Sequence, residues 1–290
     1  MVTVAQETQE ELHPQAIPGA LRSPDRKFAS RRPQLSLIIP AHNEESTIAH
    51  TLAEYIAFLE GRAIHHEIWV IMNGCCDATA ERVEACRRWY PQIGWAILTG
   101  PGKGRAVKLG LQLARGELIG FVDADGQIRP QEFAKLLNQL EHDAETDGAI
   151  ASKYAESIGS ARVSFVRRWM GHAFSKLVRW TLRLPFVDTQ CGAKLFRRQV
   201  VHEILPQLQL VGWTFDVELL LHLCQGGCHI VEIPIALRPQ GRPSQLSCLK
   251  VAPRMFLEVL RLRWARLQPQ RTTHPVRRWR FLANLKTLLG

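Results

Sequence analysis

The sequence predicts an α/β protein built on a mostly parallel central sheet, and three observations predict it. Short apolar runs alternate with longer helical stretches four times between residues 35 and 127, the order that crossover connections between parallel strands require. Most of the runs end in Gly, Pro, Asn or Asp, so the loops after the strands gather at one edge of the sheet. The chain has 290 residues, 46% hydrophobic and 22% charged, enough to cover both faces of such a sheet.

Residues 1–32 are rich in Gln, Glu, Pro and Arg without an apolar period and read as a mobile tail. A single domain is expected over 33–247 and a basic amphipathic extension over 248–290. Leu35 to Pro40 is a strand stopped by proline. Asn43 then reads as the N-cap of a helix that carries Glu44 and Glu45 in its first turn and runs to about Leu59. Glu67 to Met72 is the second strand. In the loop after it Asp77 caps a helix from Thr79 to Trp89. Ile93 to Leu98 is the third strand, followed by Gly100-Pro101-Gly102-Lys103-Gly104-Arg105 and a helix through Ala114. Leu118 to Val122 is the fourth, and Ala149 to Lys153 reads as a further strand.

The fourth strand ends in Asp123-Ala124-Asp125-Gly126-Gln127. Two carboxylates one residue apart at a strand end, with Gly126 to turn the chain, suit a hard divalent cation such as Mg²⁺ or Mn²⁺ that bridges a diphosphate. The plain alternative is a polar turn whose Asp side chains cap the next helix. The Gly102-Lys103-Gly104 loop lacks the spacing of a Walker loop, but its N–H groups and cation suit a diphosphate as well as a plain turn.

The net charge of +10 and pI of about 9.6 favour an anionic partner. With no zinc finger and no aromatic-rich RNA motif, nucleic acid is not expected. Seven cysteines without a zinc-type pairing read as thiols in a reducing compartment. No secretory signal opens the chain, and no apolar run reaches the ~18–20 residues of a spanning helix. Phe165 to Leu184 mixes Arg167, Arg168, Lys176, Arg179 and Arg183 with Trp169, Phe174 and Trp180; Phe256, Leu260 and Trp264 repeat the theme among arginines, as do Arg277 to Phe281. Such elements suit an anionic membrane surface, or are amphipathic helices with a solvated face. A peripheral protein at the cytoplasmic face of a membrane is the expectation.

Several segments, in order, resemble the family-2 inverting glycosyltransferases, and among them the polyprenyl-phosphate hexose synthases. They are Leu35 to Glu45, Gly102-Lys103-Gly104, Asp123 to Gln127, Ser152-Lys153-Tyr154, Asp188-Thr189-Gln190-Cys191-Gly192-Ala193-Lys194, Gly212 to Leu220 and Val231 to Ile235. The resemblance covers about residues 34 to 248 and implies the GT-A, Rossmann-like fold. It further implies transfer of a hexose from a nucleotide-diphosphate sugar, UDP-glucose before GDP-mannose, to a lipid phosphate, with Mg²⁺ or Mn²⁺ as cofactor. Pro40, Ala41, Asn43, Glu44, Asn73, Lys103 and Asp123 would then contact the donor, and Asp125 and Gln127 the metal. Lys153, Arg167, Arg168 and Arg238 would hold the acceptor phosphate. Asp123, Asp125, Arg167, Arg168 and Asp188 form the implied catalytic set. Asp188 and Asp216 read as sugar or loop contacts, and either serves as base if the acceptor is a hydroxyl. A binder without turnover is the remaining alternative.

The sequence departs from that family at Met72-Asn73, where carboxylates usually face the base; the Asn73 amide still offers a donor and an acceptor to a uracil edge. Lys153 replaces an arginine, Gln245 a lysine and Gly171 a common serine. Trp213 and Phe215 read as core, Glu218 and His222 as a surface ion pair, and Cys75-Cys76 as packing.

Overall fold

In a computed structural model, residues 21–25, 31–153, 165–209, 212–238 and 248–267 are described, with the backbone alone at 165–172, 248–253 and 265–267. The expected residues Tyr154, Ser244, Gln245 and Arg277 to Phe281 lie outside these, as do the side chains of Arg167, Arg168, Trp169 and Gly171's surroundings.

An eight-stranded sheet runs in the order β1-β4-β3-β2-β5-β7-β6-β8. Its strands are β1 (Leu21–Arg22), β2 (Leu35–Ala41), β3 (His66–Asn73), β4 (Ile93–Leu98), β5 (Leu118–Phe121), β6 (Gly148–Ser152), β7 (Lys194–Arg197) and β8 (Ile230–Pro234). Strands β4, β3, β2 and β5 are parallel neighbours, and so are β6 and β8. β7 is antiparallel to both β5 and β6 and joins the two groups.

All residues of β2 and β3 are buried, as expected of strands covered on both faces. The side chains of β2 divide by the two-residue period of a strand. Leu37 and Ile39 pack with Ile48, Leu52 and Ile56 of α1 (Ile48–Gly61) and with Phe133 and Leu137 of α4 (Pro130–His142). Ile38 faces the other way, onto Val107 and Leu111 of α3 (Lys103–Leu113). Gly110 lets α3 approach that closely, since a Cβ there would enter the Ile38 side chain. The same second layer holds Leu219 and Leu220 of α7 (Phe215–Gln225). α2 (Thr79–Trp89), α5 (Phe165–Leu182) and α6 (Arg198–Ile204) complete the order up to α8 (Cys248–Leu267).

Several expectations are corrected. Leu21–Arg22, inside the expected tail, pair antiparallel with Ala96 and Trp95, because the outer edge of β4 offers unpaired backbone groups. β5 ends one residue early and β6 is shifted by one, to Gly148–Ser152. Asn43 is not a helix N-cap. It sits at φ 57°, in the left-handed region that Asn tolerates, and α1 begins only at Ile48.

The described part of the extension, α8, packs on α5: Val259 and Leu262 join Val178 and Leu182 in one cluster, and an Arg263 guanidinium N–H donates to Thr181 O at 3.1 Å. On the expected stripe, Phe256 and Trp264 are left exposed and Leu260 is half-buried. Phe256 and Trp264 face outward because α5 takes the face bearing Glu258, Val259 and Leu262. No described helix is long and apolar enough to cross a membrane.

Candidate active site at the strand ends

The carboxyl ends of β2, β3 and β5 meet at one edge, and backbone-directed side chains splice their loops together. Asn43 Oδ1 accepts the Cys76 N–H at 2.8 Å, joining the β2 and β3 loops. The Glu44 N–H donates to Thr79 Oγ1 at 2.8 Å, and the Thr79 N–H donates to Asp77 Oδ1 at 3.1 Å, so Asp77 organises the start of α2 as expected. Asn73 is buried. Its amide donates to Ala41 O at 2.8 Å and accepts the Gly102 N–H at 3.0 Å. The donor and acceptor expected to meet a uracil edge are thus turned inward, where they tie β2 and β3 to the Gly-Lys-Gly loop. Met72 lies in the core. Cys75 and Cys76 are free thiols.

Asp123 follows β5 after one residue, Val122. Lys103, the first residue of α3, reaches it with Nζ 2.7 Å from Oδ1. The same ammonium lies 5.5 Å from the centre of the Trp213 ring. Trp213 is accordingly half-buried beside a cation rather than core, whereas Phe215 is core as expected. Burial works against the charge of Lys103, but Asp123, with Asp216 and Asp125 further off, outweighs it and holds the ammonium above its ordinary range. The Asp123 carboxylate lies directly over Gly192, where any Cβ would collide with it.

Asp125 caps its own turn by accepting the Gln127 N–H at 3.1 Å, and the Gln127 amide also donates to its second oxygen. Gly126 takes φ 68°, which makes that return possible. Burial, then Asp123, raises the Asp125 carboxyl above the usual range. Glu44 is raised too, first by burial and also by Asp125 and Asp123. Glu44, Asp123 and Asp125 thus lie near enough to repel one another, with Lys103 as the cation paired to Asp123.

Asp188 and Asp216 are both buried in ion pairs. Asp188 accepts the Lys153 N–H at 3.1 Å, and Lys153 Nζ lies 3.1 Å from its Oδ2. The N–H groups of Val187 and Asp188 in turn donate to the Glu232 carboxylate at 2.8 and 2.7 Å. Asp216 Oδ1 is 2.6 Å from Lys194 Nζ, and that ammonium also donates to Cys191 O at 2.9 Å. Glu218 is no surface residue: it is buried and accepts the Gln209 N–H. Arg238 stands beside the Asp125–Gln127 turn but is paired with Glu54 of α1, Nη2 to Oε1 at 2.8 Å. The backbone of Arg167 and Arg168 lies in the first turn of α5.

Sequence reasoning assigned no role to Gly192, Lys194, Thr51 or Tyr55. Thr51 and Tyr55 carried a signal, as polar groups on the buried face of α1. Their hydroxyls donate to Ala124 O and Ile128 O, each at 3.0 Å.

The sequence pattern of the family Glycosyl transferase family 2 matches residues 36–205. The chain belongs to that family. Among family-2 relatives, a dolichyl-phosphate beta-glucosyltransferase of Drosophila melanogaster is 36% identical over 201 residues, 64% of this chain and 61% of the relative. One of Trichomonas vaginalis is 33% identical over 222 residues, 72% and 65% of the two chains. The chain thus spans less than two thirds of the length of these two relatives. One of Mus musculus is 32% identical, over 77% of this chain and 69% of its own. The structure is similar to glucosyl-3-phosphoglycerate synthase from Mycobacterium tuberculosis in complex with Mn²⁺, uridine diphosphate and phosphoglyceric acid, with a TM-score of 0.58, 18% identity and coverage of 80% and 78% of the two chains. Mannosyl-3-phosphoglycerate synthase from Rubrobacter xylanophilus gives a TM-score of 0.60 at 20% identity, covering 84% and 76%. The fold of this family-2 chain is GT-A, as the resemblance implied.

Proposed function

We propose that the chain is an inverting hexosyltransferase that moves glucose from UDP-glucose to a polyprenyl or dolichyl phosphate. One observation carries the choice of acceptor: Asp188 and Asp216, the two carboxylates expected to act as base on a hydroxyl, are both held in buried ion pairs. A hydroxyl nucleophile needs a base, whereas a phosphate oxygen is already ionised at neutral pH. The relatives named dolichyl-phosphate beta-glucosyltransferases support the same acceptor and sugar. The uridine diphosphate in the M. tuberculosis enzyme agrees with a uridine donor.

Asp125 and Gln127 would hold the divalent cation, beside Asp123. Their oxygens suit a hard ion. Among the described residues no three His, Cys, Asp or Glu side chains are grouped so as to hold a metal, and oxygens of the donor diphosphate would complete the set. When bound, Mg²⁺ or Mn²⁺ neutralises charge on the departing diphosphate. Lys103 adds a second cation at the same place and fixes Asp123 beside the donor. Lys153, with Arg167 and Arg168 from α5, would supply the positive charge that orients the acceptor phosphate for attack.

The test is a donor screen. Purified protein with Mn²⁺ and a short polyprenyl phosphate is expected to form an acid-labile lipid-linked sugar from UDP-glucose, and Asp125→Ala to lower its rate by at least about 100-fold, a few kcal/mol of transition-state stabilisation. Metal-dependent hydrolysis of one donor without any lipid product would move the acceptor to a hydroxyl compound.

The proposal places the α5–α8 face on an anionic membrane. Lys176, Arg179, Arg183 and Arg263 line one groove with Trp180, and Trp180 and Trp264 are 81% and 74% exposed. Cations and aromatics together suit the headgroup layer. Binding to phosphatidylglycerol vesicles is expected to fall about tenfold in Trp180→Ala/Trp264→Ala. Equal binding to neutral and anionic vesicles would remove the anionic surface from the proposal, and no binding to either would remove the membrane.

A further inference from the structure

The turn that carries the two carboxylates is held from outside itself. Thr51, Glu54 and Tyr55 stand at i, i+3 and i+4 on α1 and share one face. Thr51 Oγ1 donates to Ala124 O and the Tyr55 hydroxyl to Ile128 O, so one carbonyl on each side of Gln127 is fixed to the helix. The carbonyl between them is fixed too, by a different strand of the chain. The backbone N–H of Arg238 donates to Gln127 O at 2.8 Å, and its guanidinium grips Glu54 with two bonds, Nη2 to Oε1 at 2.8 Å and Nη1 to Oε2 at 3.2 Å. Arg238 therefore bridges α1 and the turn across 184 residues of sequence.

This arrangement leaves the Arg238 fork, the edge that would clasp a phosphate, facing a carboxylate. The bond to Arg238 is the largest influence on Glu54, whose carboxyl it holds below the ordinary range. We infer that Arg238 is a positioning residue for the Asp-x-Asp-x-Gln turn, acting through Glu54 and the Gln127 carbonyl, and not a ligand of the acceptor phosphate. The inference rests on the proposed role of Asp125 and Gln127 as metal ligands. Groups that orient a ligand from behind typically change metal affinity by 10–100-fold. A lysine cannot copy the two-pronged bond.

The experiment measures Mn²⁺ binding to the full chain by electron paramagnetic resonance, with uridine diphosphate present at a fixed saturating concentration, alongside the KM for a short polyprenyl phosphate. Glu54→Gln and Arg238→Gln are each expected to weaken Mn²⁺ binding by about tenfold, with Arg238→Lys in between and the acceptor KM within about twofold of the parent. Thr51→Val removes a different bond to the same turn and is expected to shift Mn²⁺ affinity in the same direction. Melting temperatures close to the parent's would exclude general unfolding as the cause. Glu54→Gln with parental Mn²⁺ affinity would overturn the inference, and so would Arg238→Gln that raises the acceptor KM alone. A parent that binds Mn²⁺ but makes no lipid-linked sugar would sink the proposed function while the Mn²⁺ affinities still decide this one.

Discussion

Gly192→Ala is expected to lower turnover by about 100-fold while leaving the fold almost as stable as before. The methyl group would occupy the space of the Asp123 carboxylate. The three nearest atoms it would meet all belong to the end of that one movable side chain. Asp123 would rotate off Gly192 and leave the 2.7 Å contact with Lys103. A displacement of about 1 Å in a reacting constellation costs on the order of 10²-fold. Steady-state kinetics beside a thermal melt make the check. A folded Gly192→Ala variant with parental kcat would show that the position of Asp123 does not matter to the reaction.

The second large effect concerns stability. Lys194 is fully buried, and Asp216, at 2% exposure, is the carboxylate beside it. Lys194→Met would leave that carboxylate uncompensated in the interior, a loss of about 3–5 kcal/mol. Against a typical domain stability of about 5–15 kcal/mol that is a large fraction. Lys194→Met/Asp216→Leu removes both charges and is expected to recover most of the loss, since well-packed apolar pairs often replace buried ion pairs without penalty. Urea unfolding of the single and double variants tests this. A single variant within about 1 kcal/mol of the parent would mean that water reaches the pair, as it does for exposed ones.

Much of this was legible before any coordinates. The apolar runs at Leu35, Glu67, Ile93 and Leu118 became β2 to β5, because a strand buried on both faces leaves a contiguous signature. The Asp123–Gln127 turn was legible for the same reason: its parts are neighbours in sequence. What failed was tertiary. Asn43 has the chemistry of a cap, yet its side chain serves the Cys76 N–H, a partner 33 residues away. Asn73 has the chemistry of a base reader, yet the loops around it take both ends of its amide. Arg238 matched a phosphate-binding position by type, and only the packing of α1 shows the carboxylate it holds. Lys194 reads as a surface residue anywhere in a sequence, since nothing local announces a buried partner 22 residues on.

The place of β7 bears on how the molecule comes together. Strands β2 to β5 pair through successive crossovers, and each new strand joins a neighbour already made. β7 instead enters between β5 and β6 after the whole of α5 has intervened. Gly192, the seat of Asp123, and Lys194, the partner of Asp216, arrive on that segment. A nascent chain that has emerged only through α4 already has Asp123, Asp125 and Lys103 in place in the sequence but lacks the surface on which Asp123 rests. Ordering of the carboxylate pair is thereby tied to completion of the sheet, so a half-made molecule does not carry a half-working site.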